Sequence, residues 1–143
     1  MNLRHALPLT AALLLTACVQ KPAAPPPVAG PNLNEGMASV CKPSSPMLQP
    51  GAVAQAELQM NNDGGWCAIR VANMGKPFLV GLVHDRPAHG RVLIRAAGDQ
   101  TFLDYLPAPG YTGSDSFTAI LRPHEPGEPD STVHVTVVVV PKT

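Results

Sequence analysis

The sequence has 143 residues, with ten Lys and Arg balanced by ten Asp and Glu, 17 prolines and 12 glycines. That length suggests one domain. The balanced charge, without any basic run, excludes the electrostatic footprint of a nucleic-acid-binding protein, so no nucleic-acid partner is expected.

Residues 1–17 have the order of an export signal. Arg4 supplies the positive start, and Ala6 to Leu15 form a short apolar run interrupted by Pro8 and Thr10. A membrane-spanning helix needs about 20 apolar residues, so this run is too short to be one. Small residues then lead into a cysteine, Leu15-Thr16-Ala17-Cys18. This stretch resembles the lipobox of bacterial lipoproteins. The resemblance implies cleavage before Cys18, a diacylglycerol on its sulfur and acylation of the new amino terminus. Several acyl chains, at about 0.8 kcal/mol per buried methylene, would anchor the protein firmly. Val19, where an enterobacterial inner-membrane protein would carry Asp, points to the outer membrane. The expected localisation is the bacterial cell envelope, with the membrane itself as one partner. Cleavage would leave nine Lys and Arg against ten Asp and Glu, a net charge of −1.

If Cys18 carries lipid, Cys41 and Cys67 remain as an even pair. Export places them in an oxidising compartment, where a disulfide is expected; two buried thiols are the alternative. They are not a C-x-x-C pair, so no redox role follows.

Residues 18–36 hold the lipidated cysteine and a linker. Pro22, Pro25, Pro26, Pro27 and Pro31 remove backbone donors and fix φ, which keeps the segment out of helices and sheets. It reads as an extended tether of about 3 Å per residue. Asn32 to Gln49 is rich in turn residues and is expected to wrap onto the domain at Cys41.

The domain is expected to span residues 37–143, with seven strands from Pro50 onward and no helix. Ala52 to Met60 alternates, with Ala54, Ala56, Leu58 and Met60 on one face and Gln55, Glu57 and Gln59 on the other. A turn cluster, Asn61 to Gly65, leads to Trp66 to Val71, where Cys67 shares a face with Ile69 and Val71. Phe78 to Val83 is apolar on both faces and reads as a central strand. Arg91 to Arg95, Phe102 to Leu106 and Asp115 to Leu121 follow. Thr132 to Val140 places Val133, Val135, Val137 and Val139 on one face. Its β-branched residues suit a pleated sheet, and so flat an apolar strand must pair inside a sheet to avoid aggregation. Seven short strands between turns give an all-β sandwich.

The most specific run lies at residues 87–121. Pro87-Ala88-His89-Gly90-Arg91-Val92 is followed by Tyr105, Pro107 and then Gly110-Tyr111-Thr112-Gly113-Ser114-Asp115-Ser116-Phe117. The pattern, over about residues 77–140, resembles the cadherin-like and immunoglobulin-like repeats of bacterial surface proteins. It implies an immunoglobulin-like sandwich in which His89 serves a turn. Gly110 and Gly113 would supply the positive φ of a sharp corner. Asp115 would accept backbone N–H groups and tie that corner down. Tyr111 would lie over it with its hydroxyl on a backbone or water partner, and Phe117 would enter the core with Ala119 and Leu121. The acidic run that precedes the family's repeats is only echoed by Asn61-Asn62-Asp63, whereas calcium needs about six to eight clustered oxygens.

Other constellations are weaker. His84, His89, His124 and His134 are the histidines beyond the signal, but zinc needs three or four converging ligands, and no metal or other cofactor is expected. Ser114, Asp115 and Ser116 with His124 lack the elbow and the strand-to-helix turn of a hydrolase, so no catalytic residues are expected and the protein reads as a non-enzyme. The polar loop 122–130 is either a recognition loop or a solvated connection. The expected function is that of a membrane-anchored lipoprotein whose domain binds an envelope protein or polysaccharide or serves envelope assembly. The alternative is a His-based metal-binding or catalytic lipoprotein.

Overall fold

The computed structural model describes residues 36–142, which form eight strands and no helix. The signal, Cys18 with its expected lipid, and the proline-rich segment lie outside the described residues.

In chain order the strands are β1 (Cys41–Pro43), β2 (Val53–Asn61), β3 (Cys67–Val71), β4 (Val80–Asp85), β5 (Gly90–Ala97), β6 (Gln100–Pro107), β7 (Gly113–Arg122) and β8 (Ser131–Val140). They make a five-stranded sheet, β1-β2-β8-β7-β4, and a three-stranded sheet, β3-β6-β5. One core lies between the two sheets. Ala56, Leu58, Met60, Phe117, Leu121 and the four odd-numbered valines of β8 come from the larger sheet; Cys67, Ile69, Val71, Leu103 and Tyr105 come from the smaller. Each large apolar side chain so withdrawn from water contributes roughly 1.5–3 kcal/mol.

The alternation in β8 sets its position. It runs parallel to β2, from Val53 opposite Thr132 to Asn61 opposite Val140, and antiparallel to β7, from Gly113 opposite Val139 to Leu121 opposite Ser131. Both edges of this flat strand are therefore hydrogen-bonded, and its valines at 133, 135, 137 and 139 are buried.

The seven strands expected from Pro50 onward are β2 to β8; β1, ahead of them, adds three residues to the free edge of β2, Cys41 opposite Met60. One expectation is corrected. The run Phe78 to Val83 is not a central strand. Phe78 is buried just ahead of β4, whereas β4 is the outermost strand of the larger sheet, and Leu82 is 58% exposed with Leu79 and Val80 also open to solvent. Gly81 lies under Ile94 of the opposite sheet, where a Cβ would come within 2.2 Å of the Ile94 Cγ2. The missing side chain lets the two edges close there.

Cys41 and Cys67 form a disulfide with their Cα atoms 5.4 Å apart. The bond joins β1 of one sheet to the inward face of β3 of the other.

Candidate ligand-binding groove

The turn motif converges on Asp115. This residue begins the inward face of β7, and its carboxylate is enclosed by four donors. Oδ1 accepts the backbone N–H groups of Ala88 and Ser116, each at 2.9 Å. Oδ2 accepts the N–H of His89 at 2.9 Å and the hydroxyl of Tyr105 at 2.8 Å. A buried carboxylate requires such donors, because an unpaired one costs several kcal/mol. Burial, with the neighbouring Asp115 charge, pushes the Tyr105 hydroxyl well above the usual phenol range, which keeps it protonated as a donor. Tyr105 also stacks parallel to Phe117, ring centroids 6.2 Å apart, so the expected core position of Phe117 and the polar knot share one wall.

The remaining motif residues close around this knot. Gly90 has no Cβ because the Tyr105 ring occupies that space, at 2.4 Å from where a Cβ would stand. Pro107 pairs with Gly90 at the end of the β5–β6 ladder. The N–H of Ala108 donates to the His89 carbonyl at 2.7 Å, and Tyr111 N–H closes a turn onto the Ala108 carbonyl. His89 and Tyr111 stack with centroids 4.2 Å apart, and the Tyr111 hydroxyl donates to the Ser114 carbonyl at 2.6 Å. Gly110 and Gly113 both adopt positive φ, 75° and 132°. Pro87 opens the loop and is half-buried. Asn62 then clamps the corner from the β2–β3 turn, its side-chain amide donating to the carbonyls of Ala108 and Tyr111 at 2.8 and 2.9 Å.

These pinned loops wall a groove of about 750 Å³ at one end of the molecule. Ala88, Leu106, Pro107, Ala108 and Pro109 give it apolar walls, while His89, Arg91 and Lys142 bring cationic or protonatable groups and Asp63 an acid. Asp63 is already engaged, accepting the N–H groups of Ser39 at 2.8 Å and Gly65 at 3.1 Å. Hydrogen bonding to Ser39 foremost lowers its pKa to about 2.

The groove opens at Arg91 and Leu106 onto the outer face of the three-stranded sheet, where alternation turns Arg70, Arg91, Arg95, Phe102 and Asp104 away from the core. Asp104 is fully buried even on this face. Arg95 reaches it with Nε at 2.6 Å and Nη2 at 3.3 Å. Burial raises the Asp104 pKa, and Arg95 acts against that rise. The Arg95 guanidinium also lies 4.4 Å from the Phe102 ring centroid and 5.6 Å from that of Trp66. Sequence reasoning missed this cluster. Its one visible signal is a charged residue between Leu103 and Tyr105.

The histidines do not converge. His134 shares a hydrogen bond with Thr118 across β7 and β8, His89 is stacked on Tyr111, and His124 lies beyond the far end of β7. Among the described residues no three His, Cys, Asp or Glu side chains are grouped to hold a metal ion. Asp115 and His124 sit at opposite ends of β7, so Ser114, Asp115, Ser116 and His124 do not assemble into a triad. The 122–130 loop is braced by ion pairs, Arg122 with Asp130 at 3.1 Å and Lys76 with Glu125 at 2.6 Å.

No protein-family model matches the chain, and no curated protein matches it either. Among solved structures, similarity is found to the cysteine protease inhibitor EhICP2 from Entamoeba histolytica, at 16% identity and a TM-score of 0.35, over 64% of this chain and 97% of that one. An endo-fucoidan hydrolase of glycoside hydrolase family 107 matches at 15% identity and a TM-score of 0.40, over 79% of this chain but 15% of the enzyme. Likenesses this distant assign neither a fold family nor an activity.

Proposed function

We propose that the chain is a lipid-anchored protein of the bacterial envelope whose immunoglobulin-like, cadherin-like domain is a non-catalytic binding module for an envelope protein or polysaccharide. The observation that carries the binding role is the groove whose walls are pinned by Asp115 and Asn62. A recognition site held rigid before its ligand arrives loses little entropy on binding. The carboxylate that could have served chemistry is instead consumed in holding those walls.

The anchor is supported by cysteine use. Cys41 and Cys67 are spent on each other, which leaves Cys18, the cysteine within the lipobox, as the remaining thiol. The immunoglobulin-like assignment is supported by strand order: β3-β6-β5 faces a sheet in which β8, β7 and β4 are neighbours, and β2 runs parallel to β8. Val19 after Cys18 favours the outer membrane. The metal-binding or catalytic alternative would rest on histidines that the fold keeps apart.

Fractionation and affinity capture test the proposal together. Cys18→Ser should release the protein from membranes; a variant that still sediments with them overturns the anchor. The lipidated protein should capture an envelope protein or glycan, and His89→Ala with Lys142→Ala should weaken that capture. Undiminished capture by the double variant overturns the groove as the binding site.

A further inference from the structure

We infer that the groove and the adjoining outer face of the three-stranded sheet form one strip that binds a linear acidic polysaccharide, a sugar chain bearing carboxylate or sulfate groups. The inference rests on the reading of the chain as a binding module and names its ligand class.

Charge is divided unevenly between the sheets. The strands of the smaller sheet carry Arg70, Arg91 and Arg95 against one acid, Asp104, and that acid is buried and bound to Arg95. The same face therefore presents guanidinium groups without an exposed carboxylate in its strands. Register places Arg70 and Arg95 on either side of Phe102 in a single cross-strand row, about 10 Å apart, or two interstrand spacings. Arg91 lies four residues from Arg95 on β5, about 13 Å along the strand, and Lys142 shares the groove with it. Cations strung at such intervals suit a polymer with repeated charges better than a single anion.

Aromatic groups are interleaved with these cations. Trp66 and Phe102 are half-exposed beside Arg95, and the His89–Tyr111 stack stands at the groove. The Phe102 and Trp66 rings carry the Arg95 guanidinium, while Asp104 takes two of its five N–H donors and holds it in place. Rings and fixed guanidinium forks together recognise acidic sugars: the forks take carboxylate or sulfate oxygens two at a time.

The setting disfavours other polyanions. A peptide that binds through its main chain would add to a sheet edge, whereas the strip covers a sheet face. A lipid surface would be met by a contiguous run of exposed apolar groups, and Leu79, Val80 and Leu82 make such a run at the β4 edge of the other sheet.

The test uses the full mature protein in non-ionic detergent, titrated at physiological salt with a linear polyuronate, a sulfated polysaccharide, neutral dextran, polyglutamate and phosphatidylglycerol vesicles. Binding should be confined to the charged polysaccharides. Arg70→Ser with Arg91→Ser should weaken it by roughly tenfold or more, as expected for loss of a bidentate ion contact. Arg86→Ser, outside the strip, should leave it unchanged. Phe102→Leu keeps an apolar cover over the sheet and should also weaken binding, because it removes the ring on which Arg95 rests. Equal binding of polyglutamate or of vesicles, no binding of either acidic polysaccharide, or full binding by the double Arg variant overturns the inference. A protein that still captures an envelope partner while ignoring acidic polysaccharides refutes the strip and leaves the binding module standing.

Discussion

The Tyr105 hydroxyl donates to Asp115 Oδ2 at 2.8 Å, from the smaller sheet to the larger. The same carboxylate holds the backbone of Ala88 and His89, so one side chain sets the spacing of the sheets and the position of the groove wall.

Removing Asp115 leaves several buried donors unpaired at once. Asp115→Ala should destabilise the fold by about 3 kcal/mol or more, and Tyr105→Phe, which deletes one of four donors, by about 1–2 kcal/mol. Urea unfolding followed by Trp66 fluorescence measures both. Equal effects would show that the hydroxyl, rather than the pinned loop, dominates the knot.

Arg95 and Asp104 behave as a buried ion pair. Arg95→Met should cost about 3–5 kcal/mol, because it strands the buried Asp104 carboxylate without its partner. Adding Asp104→Leu should recover most of the loss, and the double-mutant cycle reads the coupling directly. Failure of the second change to rescue would mean that Arg95 acts mainly through its packing on the rings.

The disulfide closes a separation of 26 residues. Its loss in a Cys41→Ala, Cys67→Ala variant should lower stability by about 3–4 kcal/mol on the chain-entropy account. Non-reducing peptide mapping should recover the two cysteines in one cross-linked peptide, and two freely alkylated thiols would contradict the bond.

Asp63 makes a contribution that depends on pH. Its pKa falls from 3.8 to about 2 in the folded protein. A carboxylate with a depressed folded value stabilises fully above its unfolded pKa, and that stability is lost as pH falls from about 4 towards about 2. Asp63→Asn should flatten this part of a melting-temperature profile while changing little at neutral pH beyond a constant offset. An unchanged acid limb would mean that Ser39 and Gly65 do not hold the charged form.

The strands were legible because their alternation matches the sheet period. Val133 to Val139 and Ala54 to Met60 announce one buried face each, and the folded chain buries those faces. Phe78 to Val83 misled because a continuous apolar run looks the same at an edge as in a centre; burial depends on which neighbours the topology supplies. β1 escaped notice because three residues, Cys41-Lys42-Pro43, carry no period and are held by β2 and the disulfide. The Asp115 corner was readable from its glycines and its spacing to Phe117. The strip was not, since Arg70, Arg91, Arg95 and Phe102 become neighbours only through the order β3-β6-β5.

The disulfide also sets how the domain answers mechanical load. A tug on the chain ahead of Gly36 would first peel away the short contacts that Gly36 and Ala38 make with Trp66, then reach Cys41. There the unzipping must stop, because the force passes through a covalent link into β3 rather than into the three residue pairs between β1 and β2. Strain from the leading end is thus delivered to β3, at the edge of the smaller sheet, and the segment between the two cysteines, β2 included, is bypassed.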